Sequence, residues 1–414
     1  MLMHKIEAGY KVVTPLFGSG ADANRPELRT TAFKGLLRFW WRALAWSRLR
    51  GDLTELKRQE DRLFGSATGG QSKVLMCLKA PPATVVRTDQ VLTIPGGGGK
   101  TVGEGARYLG YGLMEAFASS QNKTQAGQLL KACLQAPVEF CVQIRGRDLS
   151  PQDLESLKNA LVCLGLLGGM GSRSRKGYGS LVLQALSLDG QAAWTPPKNL
   201  AELERAIKEL NSWPSPGQNS LRLPEYTAFS PTSRCVLLTG KKDPLEMLDL
   251  VGREMVRYRS WGKNGKILGG GVVSEKNFQD DHDLMKRAVR TEHPRRVAFE
   301  LPHNYGKARE DQVGPADAHL DRRASPLFIH IHELRNEAVA ILSFLPARFL
   351  PERRPDPKAG SGGFPKPPDL SVGTNRVPLA PEAQLYRPIH DFLDRLLDKN
   401  KRKETFASAL EVKP

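Results

Sequence analysis

The chain has 414 residues, 40% of them hydrophobic, which is enough to build cores for two domains. Its 61 Lys plus Arg against 44 Asp plus Glu give a formal net charge of +17 and a pI near 9.7, favouring a polyanionic partner through counterion release. No apolar run approaches the roughly 20 residues of a membrane span, and Met1-Leu-Met-His-Lys-Ile6 carries no apolar signal core, so the sequence predicts a cytoplasmic protein with no membrane partner. Five widely spaced cysteines, most with apolar neighbours, lack zinc-finger spacing and are expected as buried, reduced thiols.

Residues 4–13 alternate polar and apolar up to Pro15, predicting a first strand. Lys34 to Arg50 then follows a helical period behind Thr30 or Thr31 as cap. Ser72 to Lys79 reads as a second strand, and Val138, Phe140, Val142 and Ile144 share one face of a third. Ser150-Pro151 opens a helix, with the cap residue before a first-turn proline, and that helix runs into Gly168. Leu181 to Leu188 closes a β-α-β-β-α-β unit of ferredoxin-like type, over residues 1–195.

Between the second and third strands, Pro95-Gly-Gly-Gly-Gly-Lys-Thr101 invites comparison with a phosphate-binding P-loop. Ile94 stands where the first glycine is needed and no apolar strand leads in, so nucleotide binding is rejected in favour of a hairpin tip based on Tyr108 to Gly112. Pro196 to Pro224 has linker composition with one helix, Leu200 to Leu210. A second domain, residues 225–414, is predicted with strands at Arg234–Thr239, Arg296–Leu301, Leu327–His332 and Val339–Phe344. A helix is expected from Asp243 to Trp261, a Pro/Gly-rich loop from Pro355 to Pro378, and a last helix from about Pro381 to Leu410. The expected fold class is therefore α+β, two ferredoxin-like (RRM-like) domains, the second degenerate, with Gly/Pro-rich insertions.

Two motifs carry the charge argument. Gly168-Gly-Met-Gly-Ser-Arg-Ser-Arg-Lys-Gly-Tyr-Gly-Ser180 combines glycines with Arg173, Arg175, Lys176 and Tyr178. It reads as a backbone cradle for phosphate with a ring for stacking, or as a flexible loop with solvated cations. In the helix from Lys34, residues Leu36, Leu37, Trp40, Ala43 and Leu44 share one arc, while Lys34, Arg38 and Arg42 stack on the other side with Trp41 and Arg48. Like charges at i,i+4 repel and call for an anion, and an aromatic among cations suits single-stranded nucleic acid. The bland alternative is a solvated stripe with Trp41 under a loop. Upstream, Arg25 and Arg29 are within reach of phosphate, while Asp22 and Asn24 suit a turn. In the second half, Arg257, Arg259 and Lys263 accompany Tyr258 and Trp261, either as an RNA site or as the basic end of a helix.

Pro15-Leu-Phe-Gly-Ser-Gly-Ala-Asp22, Glu27-Leu-Arg29, Phe33-Lys-Gly-Leu-Leu-Arg-Phe-Trp-Trp-Arg42, Leu63-Phe-Gly-Ser66 and the glycine loop resemble the RAMP superfamily of CRISPR proteins. Within it, the resemblance is nearest the first, capping subunits of Cmr-type (type III-B) RNA-targeting complexes. Leu301-Pro-His-Asn-Tyr-Gly306 and Arg323-Ala-Ser-Pro-Leu-Phe-Ile-His330 extend it into the second half. The resemblance implies a noncatalytic subunit of a guide-RNA ribonucleoprotein, acting near the guide's 3′ end in antiviral defence and helping to engage target RNA beside other RAMP-type Cmr subunits. Its RNA surface would comprise Lys34, Arg38, Trp41 and Arg42 with Arg173, Arg175 and Lys176. No cofactor or metal follows.

Two rival readings stay open: a metal-independent endoribonuclease that processes guide RNA, and a basic scaffold. Nuclease chemistry of this kind uses a histidine to help a 2′-hydroxyl attack its phosphate, which makes His4, His303, His330 and His332 candidates.

Overall fold

The computed structural model describes residues 3–22, 24–210, 222–261, 266–267, 272–287, 289–306, 308–317, 319–352 and 368–412. It is an α+β protein whose two main sheets are antiparallel throughout. In the first half, β1 (Met3–Val12), α1 (Thr30–Arg48), α2 (Leu53–Phe64), β2 (Val74–Lys79), α3 (Glu104–Leu109), β3 (Val138–Arg147), α4 (Pro151–Leu167), β4 (Leu181–Leu188) and β5 (Gln191–Trp194) follow in chain order. The sheet runs β2-β3-β1-β4-β5. The alternation of β1 buries Ile6, Ala8, Tyr10 and Val12, and Tyr10 lies opposite Phe140, their rings stacked at 5.5 Å. Above it, the Tyr10 hydroxyl donates to the Leu161 carbonyl of α4 at 2.8 Å, fixing helix to sheet. Ser150 caps α4 as predicted, in a reciprocal capping box with Asp153 behind Pro151.

The second half repeats this order. After α5 (Leu200–Lys208) come β6 (Arg234–Lys241), α6 (Pro244–Arg259), β7 (Leu327–Glu333), β8 (Ala338–Phe344), α7 (Glu382–Leu397) and β9 (Ser408–Val412), with the sheet ordered β7-β8-β6-β9. Four expectations need correction. The segment at Arg296 forms a 3₁₀ helix, Arg295–Phe299, because the Asp281 carboxylate accepts from the backbone N–H groups of Arg295 and Arg296 at 2.8 and 2.7 Å. The last predicted helix stops at Leu397, and Ser408–Val412 pairs with β6, which would otherwise be a sheet edge. Within the predicted Pro/Gly-rich loop, Asp369–Val372 and Asn375–Pro378 form a hairpin turning at Gly373, φ +62°. Cys77 is exposed, whereas Cys133, Cys163 and Cys235 are buried, and all five thiols are free.

The halves are not separate bodies of core. Tyr178 and Val182 from the first share one apolar cluster with Leu248 and Ile329 from the second. The insertion of the first half also places α3 on α6, where the Asp249 carboxylate accepts from the N–H groups of Gly105 and Ala106 at 2.7 and 3.1 Å. An acid from one half thus caps a helix of the other. Among the described residues no helix is long and apolar enough to cross a membrane.

Candidate nucleic-acid interface

The glycine loop is a joint between the halves. Its backbone bridges β7 in parallel, with Lys176 beside Ile329, and the Ile329 N–H donates to the Arg175 carbonyl at 3.0 Å. Gly177, φ +87°, supplies the turn, and its carbonyl accepts from the hydroxyls of Thr14 and Ser180 at 2.7 and 3.0 Å. Tyr178 is fully buried, its hydroxyl donating to the Ala106 carbonyl at 2.7 Å. The ring is therefore a core contact, correcting the expectation that it stacks a base. Lys176 is buried against Glu300 at 3.3 Å, and Arg259 reaches the same carboxylate at 3.0 Å. Burial alone would raise the Glu300 pKa, but Lys176 and Arg259 hold it below the usual carboxylate range. Arg175 donates to the Ser325 carbonyl at 2.6 Å, its guanidinium 4.4 Å from the Phe328 ring centre and 5.4 Å from that of Phe39. Lys176, Arg259 and Arg175 are thus largely committed inside the protein. Arg173, φ +60°, stays half-exposed and donates to the Tyr111 carbonyl at 2.9 Å.

Helix α1 shows why charge pattern alone misleads. Its Arg38 donates to Glu60 of α2 at 2.9 Å, and Arg42 lies 3.7 Å from the same carboxylate. The anion that the stacked cations call for is internal. Glu60 is itself buried, so both guanidiniums lean against α2, with 32% of the Arg38 and 36% of the Arg42 side chain still exposed. Trp41 is 2% exposed, edge-on to Phe64, with its indole N–H donating to Ser156 of α4 at 3.0 Å. It packs α1 to α2 and α4, which corrects its assignment as a base-stacking ring. Sequence reasoning missed α2 although its signals are present: the Asp52 side chain caps the Glu55 N–H ahead of a Leu56, Leu63, Phe64 apolar stripe. The Leu63-Phe-Gly-Ser66 motif is the end of that helix, with Gly65 at φ +78°.

What remains exposed is the other end of α1. Its N-cap residue is Arg29, no side chain caps it, and no acid stands in its first turn. The first-turn N–H groups and the positive end of the helix are therefore open to an anion. Arg25 and Arg29 are exposed here and Lys34 is half-exposed. Arg29 has a weak partner in the exposed Glu27 at 3.5 Å. Burial, then the neighbouring Arg38, lowers the Lys34 pKa, and an approaching phosphate would reverse that. Asp22 accepts from the Asn24 N–H at 2.9 Å, the local turn role expected of it. The glycine loop lies against this connection, the Ser172 N–H donating to the Phe17 carbonyl at 2.7 Å. The fold thus brings the two sequence motifs side by side, which the strand order alone did not imply.

In the second half Arg257 is paired with Glu404 at 2.7 Å, Tyr258 is buried with its hydroxyl on the Pro388 carbonyl at 2.9 Å, and Lys263 lies outside the described residues. The histidines turn inward. His303 meets the Arg296 carbonyl at 3.0 Å, and His330 the Gly168 carbonyl at 2.7 Å with His332 beside it. Burial lowers all three pKa values, that of His330 to about 4. His4 is the exception, facing Asp189 at 2.8 Å near the surface. Among the described residues no group of three or more His, Cys, Asp or Glu could hold a metal ion.

A family model described as the RAMP superfamily matches residues 10–182, the stretch that carries α1, the glycine loop and the start of β4. The CRISPR system Cmr subunit Cmr1-2 of Pyrococcus furiosus is 28% identical over 180 residues, 42% of this chain and 93% of that protein. The crystal structure of Cmr1 from Pyrococcus furiosus, apo form, aligns with TM-score 0.52 at 18% identity, covering 86% of this chain and 92% of that one. A chain in the cryo-EM structure of the type III-B Cmr-beta bound to cognate target RNA and AMPPnP, state 2, in the presence of ssDNA, aligns with TM-score 0.50 at 13% identity, covering 84% and 95%. At these identities the two structures establish the shared fold.

Proposed function

We propose that the protein is a noncatalytic RNA-binding subunit of a type III-B CRISPR ribonucleoprotein in the cytoplasm, holding guide RNA near its 3′ end and target RNA beside other Cmr subunits. Each half is a ferredoxin-like unit, residues 1–195 and 225–414, a reading supported by the same order of four strands in the two sheets, to which the first adds β5 at its edge. The observation that carries the RNA reading is the uncapped start of α1, with no acid in its first turn and only the exposed Glu27 beside Arg29, among Arg25, Arg29 and Lys34, in a chain whose other motif cations are mostly paired internally. Such a site grips phosphate and leaves base edges free, as a subunit serving many guides requires, with pairing supplying sequence specificity. The relatedness to Cmr1 subunits supports the complex. The noncatalytic reading is supported by the burial of His303, His330 and His332, whose rings face backbone carbonyls and each other rather than a surface that a 2′-hydroxyl could approach.

The test is binding of labelled single-stranded RNA across a salt series by the wild type and by Arg25→Glu, Arg29→Glu and Lys34→Glu. Each charge reversal is expected to weaken binding and flatten the salt dependence. Unchanged affinity in all three would favour a scaffold instead. Metal-independent cleavage of repeat-containing RNA, abolished by His303→Ala in a folded protein, would overturn the noncatalytic reading.

A further inference from the structure

A groove of about 740 Å³ opens between the first-half insertion and the end of α6, away from the start of α1. Its walls are aromatic and unusually bare: Tyr111 is 69% exposed and Phe117 49%. In the same groove, the Trp261 indole stacks on the His282 imidazole with ring centres 3.9 Å apart and planes 16° from parallel. Cations border the rings. The Arg173 guanidinium is 5.8 Å from the centre of Tyr111, the Lys286 ammonium 5.4 Å from Trp261, and the Arg296 guanidinium 4.5 Å from Tyr305.

We propose that this groove receives one unpaired nucleobase of single-stranded RNA, held between Tyr111 and the Trp261–His282 pair, with its phosphate toward Arg173 or Arg296. A base with its phosphate meets both demands: a planar face for the exposed rings and an anion for the bordering cations. An apolar peptide side chain would fill the volume and bring no anion to Arg173 and Arg296. Glu115 also lines the groove, and its carboxylate directs the phosphate away from that end. The proposal rests on the RNA-binding reading for the source of the base, but not for the pocket itself.

The full chain is titrated with a single-stranded RNA carrying one 2-aminopurine, whose fluorescence is quenched on stacking, and separately with adenosine monophosphate. Tyr111→Ala and Trp261→Ala are each expected to relieve the quenching and weaken RNA binding about five-fold or more, with the salt slope unchanged because no phosphate contact is removed. Arg29→Glu should do the reverse, flattening the slope and keeping the quenching at saturation. Unaltered quenching and affinity in both alanine variants overturn the groove and leave the RNA reading standing. If the wild type binds no RNA but takes up the mononucleotide saturably and loses it on Trp261→Ala, the RNA reading fails and the base pocket survives with a free nucleotide as its source. Uptake of neither overturns both.

Discussion

Gly105 and Gly252 meet backbone to backbone across the two halves: a Cβ on Gly252 would lie 2.1 Å from the Gly105 carbonyl oxygen, and one on Gly105 would lie 2.1 Å from that of Asp249. No side chain can retreat to make room, because the neighbours are main chain. Helices α3 and α6 approach this closely only because both positions lack a side chain.

Gly252→Ala is therefore expected to destabilise the protein by about 1 to 3 kcal/mol, the range for overpacking a tight contact. Gly35→Ala is the control. Gly35 is an exposed position of α1 with nothing within 4 Å of an added Cβ, so there the substitution should stabilise by up to about 1 kcal/mol through helix propensity. Urea midpoints of the two variants should move in opposite directions with unchanged m values. A shared direction would mean that the α3–α6 contact is looser than described.

The ion triad of buried Lys176 and Arg259 with half-buried Glu300 makes the next prediction asymmetric. Glu300→Gln strands two buried cations and should cost about 3 to 5 kcal/mol. Lys176→Met leaves Glu300 paired with Arg259 and replaces a buried ammonium by an apolar chain, so its cost should be clearly smaller. Chemical denaturation of the two variants under one buffer measures the difference. Equal losses would mean that Lys176, not Glu300, anchors the joint.

Charge reversal should have different consequences along one helix. Arg38→Glu sets a second carboxylate against buried Glu60 and is expected to lower stability by roughly 3 kcal/mol or more, so any loss of RNA affinity would follow unfolding. Arg29→Glu, on an exposed side chain, should leave the melting temperature within about 2 °C and reduce the RNA salt slope by about 0.7. Thermal unfolding beside a salt titration separates the two. A stable Arg38→Glu protein with weakened RNA binding would return Arg38 to the RNA surface.

The element order was legible because the strong signals are local: the alternation of β1, the Ser150-Pro151 start of α4 and the apolar strands Leu327–Glu333 and Ala338–Phe344. The partners of the cations were not, because they come from far along the chain. Glu60 neutralises Arg38 from 22 residues away, and Glu300 meets Lys176 across the two halves. A helical projection correctly separated Lys34, Arg38 and Arg42 from the core arc, yet it has no view of the α2 helix laid over that face. Trp41 fell on the charged side of the projection and is core for the same reason. The glycines in the loop were read as a cradle for phosphate, whereas the backbone they leave bare lies against β7 and the Phe17 turn.

The inward-facing histidines make stability fall with acid. His303, His330 and His332 are held neutral by burial, and the pKa of His330 is lowered to about 4 against an ordinary value near 6.5. Above about pH 6.5 neither the folded nor the unfolded chain protonates these rings, and their stability contribution is fully present. As pH drops below that, the unfolded chain takes up protons that the folded chain refuses, so stability is lost by up to about 1.4 kcal/mol per pH unit for each ring. Buried Asp249 and Asp281, whose carboxyl pKa values burial raises, act in the opposite sense lower down, in the carboxylate range. The informative window is therefore about pH 6.5 to 5. Urea unfolding at pH 7 and at pH 5 should show a marked loss in the wild type and a smaller one in His330→Asn, which removes one titrating ring. A flat profile across that window would mean that the histidines reach solvent in the folded protein, and it would reopen the approach of an RNA 2′-hydroxyl to them.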